Sequence, residues 1–265
     1  MEPIATTLMS ILGGGILVIV MYDILMSALG TGSSGPLAPR IAAGVFRAIG
    51  CLPDRPLIHR ACGPLVMASI GACWIALLCL GWTVIFCTGE TAIVASSDGQ
   101  PAGPAGRLSF VGHLFSTLGG GLNEPGHAAW GLVAMLAGLS GMIVLTLSVS
   151  FVYSTTQAVA KGRAVLALAE IHGPGTAHFD TILLPQLAGL VAEIKAIPFS
   201  LYFSTARAHR RVARALSALY RHPGLGDGER ERLRILLREL PGLETVAEDA
   251  FGAALEQWAR RHSLK

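Results

Sequence analysis

The sequence predicts an all-α membrane protein: three transmembrane helices, a short re-entrant helix between the second and third, and a helical cytoplasmic domain after them. Of the 265 residues, 52% are hydrophobic and only 14% are charged, with a mean hydropathy of +0.57. This composition is too apolar for an ordinary soluble domain. Three stretches exceed the roughly 20 apolar residues that cross a bilayer, at residues 4–29, 62–87 and 130–153.

The first stretch is expected to be a retained helix and not a cleaved signal peptide. Its apolar run is longer than the roughly 7–15 residues of a signal sequence, and no basic residue precedes it. It carries one charge, Asp23, and an ionisable residue in a span is a functional candidate. Because Asp23 lies near the end of the stretch, anchoring at the interface or pairing with Arg40 or Arg47 is favoured over ion coordination or proton sensing.

Residues 107–125 form a shorter, mildly apolar segment between the second and third stretches. Its helical part is too short for a bilayer of about 30 Å, so it is expected to enter and leave on the same side. The segment ends in Thr117-Leu118-Gly119-Gly120-Gly121. Glycine permits backbone shapes that bring carbonyl groups to line a narrow path, which indicates an ion pore. The alternative is a flexible surface loop between two helices.

Basic residues predict the orientation. The connection between the first two stretches contains one acid, Asp54, and four arginines: Arg40, Arg47, Arg55 and Arg60. The connection between the second and third contains one arginine and three acids: Arg107, Glu90, Asp98 and Glu124. By the positive-inside rule, the first connection and everything after the third stretch are cytoplasmic, whereas the N-terminus and the glycine segment face outside.

From residue 155 onward the composition changes. This part holds fifteen of the twenty Lys and Arg residues and eleven acids, and its apolar residues recur at helical spacing. Glycine and proline at 173–175, 198, 223–226 and 241–242 divide it into four or five helices. We therefore expect three parts: residues 1–61 with the first helix and a cytoplasmic linker, 62–160 with the glycine segment and its flanking helices, and 161–265 as a cytoplasmic domain.

The glycine segment resembles the selectivity filter of the potassium-channel superfamily. Thr117, Leu118, Gly119 and Gly121 match the Thr-x-Gly-Tyr-Gly pattern, and Pro125 falls where many such channels have a proline. Residues 62–160 are similar to a two-helix pore module, and the whole chain resembles bacterial potassium-channel-like proteins with an extra N-terminal helix. The resemblance implies a homotetramer in the bacterial inner membrane whose backbone carbonyls bind a permeant monovalent cation, K⁺ or Na⁺, with no other cofactor or metal.

Two departures make this filter degenerate. Gly120 stands where the family usually has Tyr or Phe, and Leu122 where it usually has Asp. The aromatic brace and the carboxylate at the pore mouth are therefore missing, and Glu124 is the candidate to replace the carboxylate. The preference between K⁺ and Na⁺ stays open. The alternative function is a non-conducting membrane scaffold or assembly protein that retains the pore-module fold.

Further candidates lie on the flanking helices. Gly131, Gly138 and Gly141 place small residues near one face of the third span, where packing against neighbouring helices is favoured over a gating hinge. A structural hydrogen bond is favoured for His113 over a pH sensor. The five cysteines, in or beside the second span, are interpreted as small apolar side chains and not as a disulfide or metal site.

A basic pattern in the cytoplasmic part completes the candidates. Arg207, Arg210, Arg211 and Arg214 have the spacing of one helix face and predict contact with anionic lipid. A solvated face, or pairing with acids such as Glu229 and Glu231, is equally consistent with the spacing. Nucleic-acid binding is not expected, because the net charge is only +3 and no recognised motif accompanies the arginines. An enzyme is not expected either, because no nucleophile, base and orienting group have a recognisable spacing.

Overall fold

The structure is a computed structural model that describes residues 3–29 and 34–264. Helices dominate these ranges and are joined by short turns and one small antiparallel sheet. The α-helices are α1 Pro3–Ala28, α2 Ala38–Gly50, α3 Pro56–Phe86, α4 Pro104–Phe115, α5 Ala128–Ile171, α6 Leu184–Ala196, α7 Val212–Tyr220, α8 Asp227–Leu237 and α9 Phe251–Arg261. The strands are β1 Ile93–Ala95 and β2 Asn123–Pro125.

Helices α1, α3 and α5 are long and apolar enough to cross a membrane. They have 26, 31 and 44 residues and correspond to the three predicted spans. Two of them extend further than the apolar runs. Helix α3 begins six residues before Cys62 because Pro56, with its fixed φ, suits the first helical position. Helix α5 continues past Tyr153 to Ile171, just before Gly173-Pro174-Gly175.

The chain forms two compact units, each made of several segments. The first contains residues 1–28, 35–38 and 70–150, and the second contains residues 29–34, 39–69 and 151–265. The units therefore divide α3 after Ser69 and α5 after Ser150. The three sequence ranges 1–61, 62–160 and 161–265 stay a prediction.

In the first unit, α1 packs closely against α3 through two glycines. A Cβ atom at Gly13 would lie 2.8 Å from Ile85 Cγ1 and 2.9 Å from the carbonyl oxygen of Gly81. A Cβ atom at Gly81 would lie 2.8 Å from Leu17 Cδ2. Small residues let helix backbones approach in this way, and in lipid such contacts contribute much of the helix association.

The structure gives Asp23 partners that the sequence did not predict, and its depth relative to the membrane interface stays a prediction. Its side chain is fully buried in the first unit, where its two carboxylate oxygens accept hydrogen bonds from three N–H groups. Oδ1 accepts from the backbone N–H of Leu37 at 2.6 Å, and Oδ2 accepts from the backbone N–H of Ala38 at 3.1 Å and from Trp74 Nε1 at 2.7 Å. The carboxylate thus binds the start of α2, where helix N–H groups lack partners of their own.

In the second unit, the end of α5 and helices α6 to α9 enclose a hydrophobic core. Its largest side chains include Phe179, Phe251 and Trp258, and the indole N–H of Trp258 donates to the carbonyl of Pro241 at 3.0 Å. The predicted breaks are confirmed: α6 ends before Pro198, and the glycines and prolines at 223–226 and 241–242 separate α7, α8 and α9.

The prediction that Arg207, Arg210, Arg211 and Arg214 share one face of one helix is wrong. Ala208–Arg210 form a single 3₁₀ turn, Arg211 is extended with φ −78° and ψ 121°, and only Arg214 lies in α7. Arg211 is 4% exposed and donates hydrogen bonds to the backbone carbonyls of Thr205 and Leu264. These contacts hold the backbone out of the helix that the spacing predicted. Arg210 pairs with Glu170 and not with Glu229 or Glu231.

Candidate functional site: a short helix and glycine turn between two spans

The glycine segment lies in a hairpin that the small sheet closes. Strand β1 follows α3, β2 precedes α5, and Ile93, Val94 and Ala95 pair with Pro125, Glu124 and Asn123. The backbone N–H of Ser96 also donates to the carbonyl of Leu122 at 3.0 Å. This sheet has no signal in the sequence, because three-residue strands are too short to show alternation. The sheet fixes both ends of the segment that contains α4 and the glycine turn.

Helix α4 is the expected short helix. It has 12 residues, begins with Pro104 and is about 18 Å long at helical rise, which is less than the bilayer core. Phe110 packs on Phe86 of α3 with ring centroids 5.7 Å apart, and Phe86 in turn lies 5.9 Å from the ring of Trp130. This aromatic cluster holds the helix between the two spans.

Arg107 has a role that sequence reasoning missed. It is 9% exposed, and its Nη2 donates to the carbonyl oxygen of Glu90 at 2.8 Å, just after α3. From the sequence alone, Arg107 contributes only to the charge balance that predicts the orientation. A single arginine within an otherwise uncharged helix was the available signal, because such a residue is costly to bury without a partner.

The turn after α4 has an alternating backbone conformation. Thr117, Gly119 and Gly121 have φ values of 59°, 84° and 67°, all in the left-handed region. The two glycines adopt it at little cost, whereas a β-branched threonine there is strained. The backbone N–H groups of Thr117 and Leu118 donate back to the carbonyls of Leu114 and His113, at 3.2 and 3.0 Å. The end of α4 therefore holds the strained residue in place.

The turn presents backbone carbonyl groups at the surface of the chain. Thr117, Leu118, Gly119 and Gly121 are exposed, and Leu118 is 74% exposed. Their carbonyl oxygens accept no hydrogen bond from any residue among 3–29 and 34–264, whereas the carbonyl of Gly120 accepts from the N–H of Asn123 at 3.3 Å. Acceptors without internal partners are available to water or to a cation.

The missing aromatic at position 120 has a structural reason. A Cβ atom on Gly120 would lie 2.3 Å from the carbonyl oxygen of Asn123 and 3.0 Å from Phe110 Cε2. A tyrosine or phenylalanine therefore does not fit on this backbone. At Gly121 the neighbour is the ring of His113, 3.1 Å from an added Cβ. The structural hydrogen bond expected of His113 is present, because its Nδ1 donates to the carbonyl of Ser109 at 2.8 Å.

Several predicted site residues meet around one shallow cavity of about 590 Å³ beside the turn. They are Gly120, Gly121, Glu124, Gly131 and Gly138. The side chain of Glu124 is exposed on β2. Added Cβ atoms at Gly131 and Gly138 would meet nothing within 4 Å, whereas one at Gly141 would lie 2.6 Å from the ring of Phe115. Gly141 therefore has the expected packing role, between α5 and the end of α4.

Comparison with known proteins supports the membrane assignment. The chain is 28% identical over 148 residues to the uncharacterized membrane protein YdjJ of Bacillus subtilis (strain 168). This match covers 54% of the chain and 43% of the relative, so the chain spans less than half the length of the relative it matches. Together with the three long apolar helices, it decides the class. The chain is an all-α membrane protein.

No family model matches the chain, and no solved structure matches it. Conduction, the number of copies in the assembly and the orientation in the membrane stay predictions.

Proposed function

We propose that this chain is a cation channel of the potassium-channel type, with Thr117-Leu118-Gly119-Gly120-Gly121 as its filter. The observation that carries the proposal is the exposed turn at the end of α4, in which four carbonyl groups accept no hydrogen bond from the residues that the structure describes. In a channel, such carbonyls replace the water around the permeant ion. The only bound cofactor required is the permeant K⁺ or Na⁺ itself.

The direction of α4 favours cations over anions. The turn follows the C-terminus of this helix, where the unpaired carbonyls carry a partial negative charge. Glu124, exposed beside the turn, adds a carboxylate that concentrates cations near the entrance.

Assembly of four copies would bury the apolar surface beside the turn. On α5, exposed hydrophobic side chains recur every three to four residues along one stripe, which consists of Leu132, Met135, Leu136, Leu139, Met142 and Ile143. Gly131 and Gly138 leave open space where another helix fits closely. We therefore propose a homotetramer in the bacterial inner membrane, with the N-terminus outside and the second unit's helical tail in the cytoplasm.

Single-channel recording of the purified protein in planar bilayers tests this function. Cation currents are expected, and Gly119→Ala should reduce conductance because its φ of 84° disfavours a Cβ atom even in open space. The control is Gly15→Ala in α1, where an added Cβ also meets nothing within 4 Å.

Glu124→Gln should lower conductance in dilute salt. The difference in conductance from the original chain should shrink at high salt as the charge is screened.

The recordings also distinguish a weakly selective pore from a protein that conducts no ions. Because Gly120 provides no aromatic brace, we expect a reversal potential between K⁺ and Na⁺ solutions that is smaller than a strictly K⁺-selective pore gives. If folded protein carries no current over a range of voltage, pH and lipid composition, the proposed channel function is wrong and the scaffold function replaces it. Native mass spectrometry in detergent provides the number of copies independently of conduction.

A further inference from the structure

A separate cavity of about 670 Å³ lies within the second unit, and four arginines contribute to its wall. They are Arg60 of α3, Arg163 of α5, and Arg207 and Arg210 of the segment before α7. The volume suits a small ligand or the headgroup of a lipid. This surface is distinct from the glycine turn, which belongs to the first unit.

The positive charge of the cavity is largely uncompensated. Arg60, Arg163 and Arg207 have neither an ion pair nor a side-chain hydrogen bond within residues 3–29 and 34–264. Arg210 alone pairs with a carboxylate, Glu170, at 3.2 Å. Guanidinium groups match the geometry of phosphate, because each presents parallel N–H donors to two oxygens. Three unpaired guanidinium groups around one cavity therefore favour a phosphate-bearing ligand.

Buried polar contacts hold the wall of this cavity in place. Ser204, which lines the cavity, has its Oγ 2.9 Å from Nδ1 of His59. His59 is 3% exposed, and its Nε2 lies 2.6 Å from Asp54 Oδ1. Arg211, also buried, donates to the carbonyl of Thr205 and so fixes the ends of the segment that carries Arg207 and Arg210. The cavity is thus formed by a braced segment and not by a loose surface loop.

Apolar residues form another part of the wall. Pro64, Leu166 and Phe203 contribute to it, and Gly63 allows the ring of Phe203 to pack closely, since an added Cβ would lie 2.4 Å from it. Arg60 lies two residues before the apolar stretch of α3 begins at Cys62. A charged rim beside apolar side chains, at the end of a membrane-spanning helix, matches a phosphate attached to an acyl chain better than it matches a free ion.

We propose that this cavity binds the phosphate headgroup of an anionic phospholipid. The three unpaired arginines contact the phosphate oxygens, the hydroxyl of Ser204 lies beside them, and the apolar wall contacts the start of the acyl chains. Binding at this site is independent of whether the glycine turn conducts ions.

Native mass spectrometry and thermal unfolding of the full chain in detergent test the site. Phosphatidylglycerol, phosphatidylcholine and inorganic phosphate are added in separate titrations. We expect phosphatidylglycerol to bind at least about tenfold more tightly than phosphatidylcholine. Both headgroups contain a phosphate, but the choline cation of phosphatidylcholine cancels its negative charge and repels the arginines. The variant Arg163→Gln/Arg207→Gln should lose about tenfold in phosphatidylglycerol affinity. Both arginines are exposed, so the fold should persist without them.

Arg55→Gln/Arg261→Gln is the control with the same loss of charge, because both arginines are exposed and neither lines the cavity. The affinity of this control for phosphatidylglycerol should stay within about twofold of that of the original chain, and Arg163→Lys/Arg207→Lys should recover part of the lost binding because charge is retained. Equal losses in the two double glutamine variants would mean attraction by overall charge and would overturn the site. Inorganic phosphate that binds as tightly as the lipid would overturn the lipid as the ligand.

Discussion

At the residue scale, the buried carboxylate of Asp23 contributes to stability and does not need a role in ion movement. Its oxygens accept from Leu37, Ala38 and Trp74, and Gly35 is required beside it because an added Cβ would lie 2.3 Å from Oδ1. Hydrogen bonds to a charged group are worth about 1.5–3 kcal/mol, and unpaired donors left behind are costly.

We therefore predict that Asp23→Asn lowers the free energy of unfolding by about 1.5–3 kcal/mol, since the amide can accept only through one oxygen. Thermal unfolding in detergent, followed by circular dichroism, measures the loss. Asp98→Asn is the control, because Asp98 is exposed and, among the described residues, its side chain accepts from the backbone N–H of Gln100 alone, at 3.1 Å. A variant at position 23 as stable as the control would contradict the proposed anchoring of α2.

Individual residues show where prediction from the sequence stops. The partners of Asp23 include Trp74, 51 positions away, and His59 contacts Ser204, 145 positions away. Local spacing carries no information about such pairs. The burial of Arg211 is not predictable from the sequence for the same reason. Its contacts to Thr205 and Leu264 depend on the tertiary fold, and they outweigh the local helix that the spacing of the arginines indicates.

At the scale of elements, the close contact of α1 and α3 leads to a paired prediction. Gly13→Ala should destabilise the protein, because its Cβ would lie 2.9 Å from the backbone carbonyl of Gly81 and the helices must separate. Gly14→Ala, one position along, meets nothing within 4 Å and should be neutral or stabilising by up to about 1 kcal/mol through helix propensity. Melting temperatures of the two variants in one detergent provide the comparison. Similar melting temperatures for both would show that α1 does not pack on α3 as described.

The elements divide into those with a strong sequence signal and those without one. Long apolar runs predicted α1, α3 and α5, and glycine with proline predicted where α5 and α6 end, because few other structures accommodate these residues. The two strands carry no such signal. Residues 93–95 and 123–125 pair because the hairpin brings them together, and not because either segment favours a strand by itself.

At the scale of the whole molecule, ion pairs make the stability of the second unit depend on pH. Hydrogen bonds from Lys195, Arg234 and Arg221 lower the pKa values of Glu239, Glu248 and Glu256, respectively. Burial lowers the pKa of His262 below its ordinary value of 6.5. For all four groups the unfolded chain binds protons more readily than the folded chain, so stability is greatest above their ordinary pKa values and falls as pH decreases.

We predict that the melting temperature of the full chain decreases from pH 7 to pH 6, because the imidazole of His262 then binds a proton more readily in the unfolded chain than in the folded chain. It should decrease further below pH 4.5 as the carboxylates bind protons. Arg234→Gln should flatten the acidic limb, because Arg234 contacts both Glu231 and Glu248, at 2.6 and 2.9 Å. Arg55→Gln, which removes an exposed arginine elsewhere, should leave the profile unchanged. An acidic limb of the same slope in both variants would contradict this contribution of the ion pairs.

The turn after β1 offers a place to attach a label that reports which side of the membrane the hairpin faces. Residues 96–100 are exposed, Gly99 has φ 69°, and an added Cβ there would meet nothing within 4 Å. A short epitope inserted between Asp98 and Gly99 should leave the paired strands closed, since turns of this kind tolerate insertion. Antibody staining of intact cells would then reveal the sidedness of the protein without any need for ionic current.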